Sequence, residues 1–297
     1  MNLKFPNHPS LKTSGLRGIG FALLTFWRVG GESEAQSADD LLRAVRAAES
    51  KIQYSATQVV ERGGSREVAR LFRSGPKRRI EWLEPSVKRG DLLVDDGQKV
   101  WLYHRDEKTA IRTNSSSRNP GGLGSDWKLG PAVRQNGRTV RVLTRDKGRQ
   151  LTIDAATKAI LRSQSPVSTT TLQNVRFGAI PAAKFQFSPP AGVKTTELNG
   201  TLYAGLNAAK RQADWFYAPT VVPAGYTLES VIVGPAEVWL RYTNGKQRFS
   251  IFQQKAEGAD VKPTKVDGGW FWKSKGLRFL ATGAPAGAID ALAASMK

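Results

Sequence analysis

One histidine, His104, lies in the body of the chain, inside the stretch LLVDDGQKVWLYHRDEKTAIR from Leu92 to Arg112. An imidazole titrates near neutrality and is a common general base or metal ligand. Asp95, Asp96, Asp106 and Glu107 flank it, so the residue types would allow an oriented acid–base pair. The spacing favours a hairpin instead. Along QKVWLYHR the residues alternate, with Val100, Leu102 and His104 on one face and Lys99, Trp101, Tyr103 and Arg105 on the other. Asp96-Gly97 reads as one tight turn and Asp106-Glu107-Lys108 as the next, so the acids mark turns. No G-x-S-x-G elbow offers a triad its nucleophile, and Walker A, G-x-G-x-x-G and H-E-x-x-H patterns are absent. His8 falls in an N-terminal leader, which leaves His104 without a histidine partner for a metal. No catalytic residue, metal ligand or cofactor is assigned: His104 is read as a strand-end histidine of a protein that is not an enzyme. A hydrolase built on two carboxylates is the rival, because a sheet can bring any two acids together.

The second group with chemistry is cationic. Arg73, Lys77, Arg78 and Arg79 bracket Gly75-Pro76, and Arg70 precedes them. Guanidinium forks grip phosphate and carboxylate oxygens two at a time, so Arg73, Arg78 and Arg79 are candidates for an anionic head group or an acidic partner segment. A solvated turn is the competing reading. The chain carries 45 Lys and Arg against 25 Asp and Glu, a net charge of +20. Residues 39–211 hold 31 and 16 of these, so the excess sits in the middle of the chain. Such a field concentrates polyanions: nucleic acid for a cytosolic protein, anionic membrane surface or envelope polyanions for an exported one. No helix-turn-helix or RRM-like pattern accompanies the arginines, so no nucleic acid is expected. Cysteine is absent, which removes disulfides and thiol chemistry.

The elements that position these groups are legible from periodicity and turn residues. Residues 1–38 have the order of a secretory signal peptide: Lys4, Lys12 and Arg17, then the apolar run from Gly18 to Trp27, then a small polar stretch with Ser33-x-Ala35. Export to the periplasm or cell envelope is therefore expected. No apolar run reaches the roughly 18 residues of a membrane span. SADDLLRAVRAAESKIQ reads as a helix capped by Ser37. YSATQVVER, REVARLFRS, KRRIEWLEP, the opening stretch and RTVRVLTRDKGRQLTIDAATKAILRSQSP then alternate with period two between tight turns, one long antiparallel meander. Residues 113–131 resemble a loop, with Trp127 and Leu129 anchoring a short helix or flap. FQFSPPAGV reads as a closing strand, and 196–211 as a linker, helical at GLNAAKRQAD. Beyond it, Asn244-Gly245 predicts a type I′ hairpin, GGWFWKSKGLRFLATG a strand pair, and PAGAIDALAASMK a short helix.

In order, SGPKRRIEWLEP, LLVDDGQKVWLYHRDEKTA, LTIDAATKAILRSQ and FQFSPPAGV resemble the lipoprotein-carrier superfamily typified by LolA and LolB. The succession WFYAPTVVPAGYTLES, LRYTNGKQRFSIF and GGWFW…GLRFLATG is similar to the C-terminal domain of the MucB/RseB regulators of envelope-stress sigma factors. The Gly/Ser-rich insert at 113–131 and the arginine content depart from that pattern. The resemblance implies a mainly β (α+β) fold: an open, strongly curved antiparallel half-barrel with helices on its concave side, plus a smaller β-rich C-terminal domain. The implied domains are 1–38, signal peptide; 39–195, LolA-like lipid-binding; 196–211, linker; and 212–297, MucB/RseB-like. It further implies an acyl-chain cavity, for which Ile80, Trp82, Val94, Val100 and Leu102 are the carried-over candidates; the competing reading is that all five fill the core. Implied partners are the acyl chains of a lipid or lipoprotein and an anti-sigma factor's extracytoplasmic segment. A lipid-responsive sensor and a plain carrier of lipidated cargo both fit.

Overall fold

The computed structural model describes residues 37–116, 124–203 and 205–296; the expected leader lies outside these except for Ser37 and Ala38. Those two open helix α1 (Ala38–Glu49). The Ser37 hydroxyl accepts the Asp40 amide while the Asp40 carboxylate accepts the Ser37 amide, so two otherwise orphaned N–H groups are satisfied together. Leu41, Leu42 and Val45 form the buried stripe of α1 and pack on Leu143, Leu151 and Ile153.

The described strands are β1 (Gln53–Arg62), β2 (Ser65–Ser74), β3 (Lys77–Glu84), β4 (Leu92–Asp95), β5 (Lys99–His104), β6 (Thr109–Ser115), β7 (Lys128–Gln135), β8 (Arg138–Arg145), β9 (Arg149–Asp154), β10 (Ile160–Ser165), β11 (Ser168–Phe177), β12 (Lys194–Tyr203), β13 (Thr227–Val233), β14 (Glu237–Thr243), β15 (Arg248–Lys255), β16 (Val261–Val266), β17 (Gly269–Ser274) and β18 (Leu277–Thr282). A short helix α2 (Leu206–Lys210) follows β12, and α3 (Ile289–Ala294) follows β18. The protein is thus mainly β with few helices, one large open and curved sheet, in keeping with the half-barrel expected.

The pairings trace one path: β7, β8, β9, β10, β11, β1, β2, β3, β4, β5, β6, β12, β13, β14, β15, β18, β17, β16. Every pair is antiparallel except β6–β12. The N-terminal part is therefore two meanders, β1–β6 and β7–β11, closed by β11 against β1, and not the single meander expected. The span 196–211 carries most of β12 together with α2. FQFSPPAGV is not a strand: Ala182–Phe185 is a single 3-10 turn, and Pro189 and Pro190 have no N–H to give a ladder. Trp127 and Leu129 belong to no flap; they pack beside α1, and Leu129 lies in β7. At the Asn244-Gly245 turn only the glycine has positive φ (+82°). Asn244 instead accepts the Lys246 and Gln247 amides on its Oδ1, at 2.8 and 2.7 Å, and that turn is not type I′.

Beyond the packing of α1, two apolar clusters hold the strands together. Trp272, Phe279, Phe216, Phe249, Ile251 and Leu240 centre a core drawn from the C-terminal strands and α3. A second core runs across the β6–β12 pair, joining Leu71, Ile80, Leu93, Val100 and Leu102 to Leu202 of β12 and Ile232 of β13.

Candidate functional site

The pleat sorts the predicted cavity residues. In register across β2 to β6 lie Leu71, Ile80, Leu93, Leu102 and Ile111, which form the inner apolar face. Val100 joins the same cluster, and half-buried Trp82 packs at its margin with Leu172, Leu198 and Trp239. Ile80, Trp82, Val100 and Leu102 are thus brought together. Val94 is not. It pairs with Arg79 and Trp101 on the opposite, outer face, where it is 2% exposed. Its neighbour Leu93 takes the inner position. The run Leu92-Leu93-Val94 is apolar throughout, so its sequence has no alternation to tell one face from the other.

The arginine cluster is divided in the same way. Arg73 and Arg78 face each other across β2–β3 on the inner side, and Arg79 projects outward beside Phe72. Arg73 serves the end of α1: Nη2 donates to the Glu49 carbonyl at 3.5 Å and Nη1 lies 3.6 Å from the Glu49 carboxylate. A cation there complements the negative helix C-terminus. Arg78 Nε lies 3.4 Å from the fully buried Asp95 carboxylate. Burial pulls the guanidinium pKa below its ordinary value, and Asp95 opposes that. Asp95 also accepts the Gly97 amide at 2.9 Å and the Ser115 hydroxyl at 2.8 Å, so it does more than mark a turn. Arg79 Nε donates to Glu81 at 2.6 Å. Only Arg70 and Lys77 of the group are exposed.

His104 answers to a different set of partners than its flanking sequence suggests. Its Nδ1 is 3.1 Å from Asp91 Oδ2, and Arg248 of β15 donates to the same oxygen. From that pair a charged seam extends between the β2–β6 strand ends and the C-terminal strands. Lys88 Nζ, on a side chain 2% exposed, lies 2.9 Å from Glu67 and 2.7 Å from Glu229. Glu229 receives Arg248 Nε at 3.1 Å and lies 3.3 Å from Arg241 Nε. Glu107, expected only as a turn acid, pairs with both Arg241 and Arg248. Trp82 Nε1 donates to Glu67 at 3.1 Å, and Lys88 stands 5.4 Å over its ring. The inner-face tryptophan and the seam are therefore in direct contact.

Glu229 occupies a register shift between Leu228 and Ser230 in the β13–β14 ladder. A bulge turns its carboxylate out of the regular alternation, toward the three cations. Burial alone would raise its pKa; Lys88, Arg248 and Arg241 outweigh burial and lower it to about 2. Burial likewise opposes the lowering of Glu107, which Arg241 brings about. Arg248 loses from burial and gains more from Glu229, Asp91 and Glu107, so its pKa is raised. Such a seam holds charge by pairing. It is poorly suited to general-base chemistry at His104, because a guanidinium already occupies the carboxylate that would stabilise an imidazolium. Among the described residues no group of three or more His, Cys, Asp or Glu could hold a metal ion. The sequence signal for Glu229, Arg241, Arg248, Lys88 and Asp91 was faint: Arg241 stands alone among apolar neighbours in VWLRYT, while the others look like ordinary surface charges.

No protein-family model matches the chain, and no curated protein matches it. Solved structures similar to it include MucB, at 19% identity over 87% of this chain and 97% of that chain, with a TM-score of 0.45. The Pseudomonas aeruginosa MucA/MucB complex gives 19% identity over 87% and 97%, with a TM-score of 0.42. The LolA superfamily protein NE2245 from Nitrosomonas europaea gives 9% identity over 85% and 97%, with a TM-score of 0.21. At these identities and scores the likeness concerns the fold alone and assigns no residue a role.

Proposed function

We propose that this chain is an exported, non-enzymatic binding protein. In this reading its inner sheet face takes the acyl chains of a lipid or lipoprotein, and occupancy is passed to the extracytoplasmic segment of an anti-sigma factor, as in a sensor of envelope stress. The observation that carries the reading is the contact at Trp82. This half-buried indole stands at the margin of an apolar face that continues from β2–β6 into β12 and β13, and it donates to Glu67 in the seam joining those strands to the C-terminal ones. An acyl chain entering beside Trp82, Leu172 and Leu198 would extend burial that is incomplete there, at roughly 25 cal/mol per Å² of apolar surface. The same entry would disturb Glu67 and Lys88, and so the tie to Glu229.

The test is titration of the full chain with a lipopeptide, followed by intrinsic fluorescence, and mass spectrometry of lipid extracted from native material. Trp82→Ala is expected to weaken binding more than Trp101→Ala, which lies on the outer face. Equal effects of the two, or absence of any saturable lipid binding, would refute the inner-face reading. Capture of an anti-sigma segment that lipid releases supports the sensor; lipid exchange with membranes and no such capture would make the protein a carrier.

A further inference from the structure

The outer face carries a second site, independent of the inner-face reading. One rung crosses it in register: Phe72, Arg79, Val94, Trp101, Arg112 and, over the parallel pair, Glu197. The segment after β11 passes over this rung. Phe187 packs on Trp101 and Tyr103 at 5.8 and 5.6 Å between ring centroids, and Arg79 Nη1 donates to the Lys184 carbonyl at 3.4 Å. Between segment and rung is a crevice of about 420 Å³, within the roughly 300–1,000 Å³ common for small-ligand sites.

Its walls are apolar and its ends cationic. Val94, Phe185, Trp101 and Phe187 offer carbon and ring surface, and Lys77 and Arg112 stand at the rim. Arg112 lies 5.7 Å over the Trp101 ring, and its Nε is buried without a hydrogen-bond partner. Its Nη1 has only a 3.7 Å ion pair with a half-exposed Glu197. Lys77 is exposed and forms no ion pair among the described residues. The one carboxylate in the lining, Asp96, is engaged by the Gln98 and Lys99 amides at 2.7 and 2.8 Å. We infer that this crevice binds a small oxyanion, a phosphate or carboxylate, carried on an aromatic or similarly compact apolar body. The body lies between Trp101 and the Phe185–Phe187 segment, and the oxyanion accepts from Arg112 and Lys77. A guanidinium already stacked on an indole loses little freedom on gripping an anion, and buried Nε gains the acceptor it lacks.

Calorimetric titration of the full chain tests this with phenyl phosphate and phenylacetate as probes, inorganic phosphate and benzyl alcohol as the two halves, and Arg112→Gln, Lys77→Gln and Arg134→Gln as variants. The expected result is saturable 1:1 binding of at least one aromatic anion. Either half alone should bind about tenfold or more weakly, and added salt should weaken the complex. Arg112→Gln and Lys77→Gln should each lower affinity several-fold, with Arg134→Gln and Trp82→Ala neutral. Lys77 is exposed, so its variant tests the site even where Arg112→Gln perturbs folding. The inference is overturned by absence of saturable binding of both aromatic anions at millimolar concentration. It is equally overturned by inorganic phosphate binding as tightly as phenyl phosphate, or by affinity that neither cationic variant changes.

Discussion

Replacing Glu229 with glutamine keeps the shape of the side chain and deletes the one carboxylate that Lys88, Arg241 and Arg248 share. The folded-state pKa of about 2 against an ordinary 4.5 corresponds to about 3 kcal/mol of differential stability at 1.36 kcal/mol per unit. That agrees with the roughly 3–5 kcal/mol lost when one partner of a buried pair is removed. Because the folded pKa is depressed, the contribution is present in full above pH 4.5 and is lost as pH falls toward 2. By linkage about 2 of the 3 kcal/mol should be gone by pH 3. Urea unfolding of the wild type and Glu229→Gln, measured at steps from pH 7 to pH 3, should show a gap of about 3 kcal/mol at neutral pH that narrows to about 1 kcal/mol. Glu257→Gln, at an exposed position, should stay within about 0.5 kcal/mol of wild type. A gap below about 1 kcal/mol at pH 7, or one unchanged between pH 5 and pH 3, would show that the seam contributes no net stability through this carboxylate.

Three other substitutions probe the frame. A β-carbon at Gly75 would lie 2.5 Å from the Ser50 carbonyl oxygen, at φ of +55°, so Gly75→Ala should cost about 1–3 kcal/mol; an unchanged thermal midpoint would contradict the close approach of α1 to the β2–β3 turn. Trp272 is 1% exposed and stacked on Phe279 at 5.0 Å, and Trp272→Ala should cost about 3–5 kcal/mol in urea unfolding. Ser37→Ala removes the side-chain half of the α1 cap, and hydrogen exchange in the first turn of α1 should speed up by the equivalent of about 1 kcal/mol, with exchange in β14 and β15 unaffected.

What the sequence determined is local. Alternation and turn chemistry specify β1–β2 about Gly63-Gly64, β2–β3 about Gly75-Pro76, β4–β5 about Asp96-Gly97, and the caps and apolar stripe of α1, because each depends on residues within a few positions of one another. Trp82 and Trp101 could be assigned to opposite faces because their strands alternate; Val94 could not, because LLV does not. Tertiary structure decided whatever depends on distant partners. TTTLQNVRF is polar enough to pass for a loop, and only its pairing with β1, about a hundred residues earlier, makes it a strand. The parallel β6–β12 pair likewise runs a second core through the span read as a linker. The seam shows the same division. His104 could be placed at a strand end, but its carboxylate is Asp91 and not any of the four acids that flank it, and Glu229 meets its cations through a bulge. A period of two says that a strand has two faces; it does not say which strand will lie against either, and there the desolvated charges find their partners.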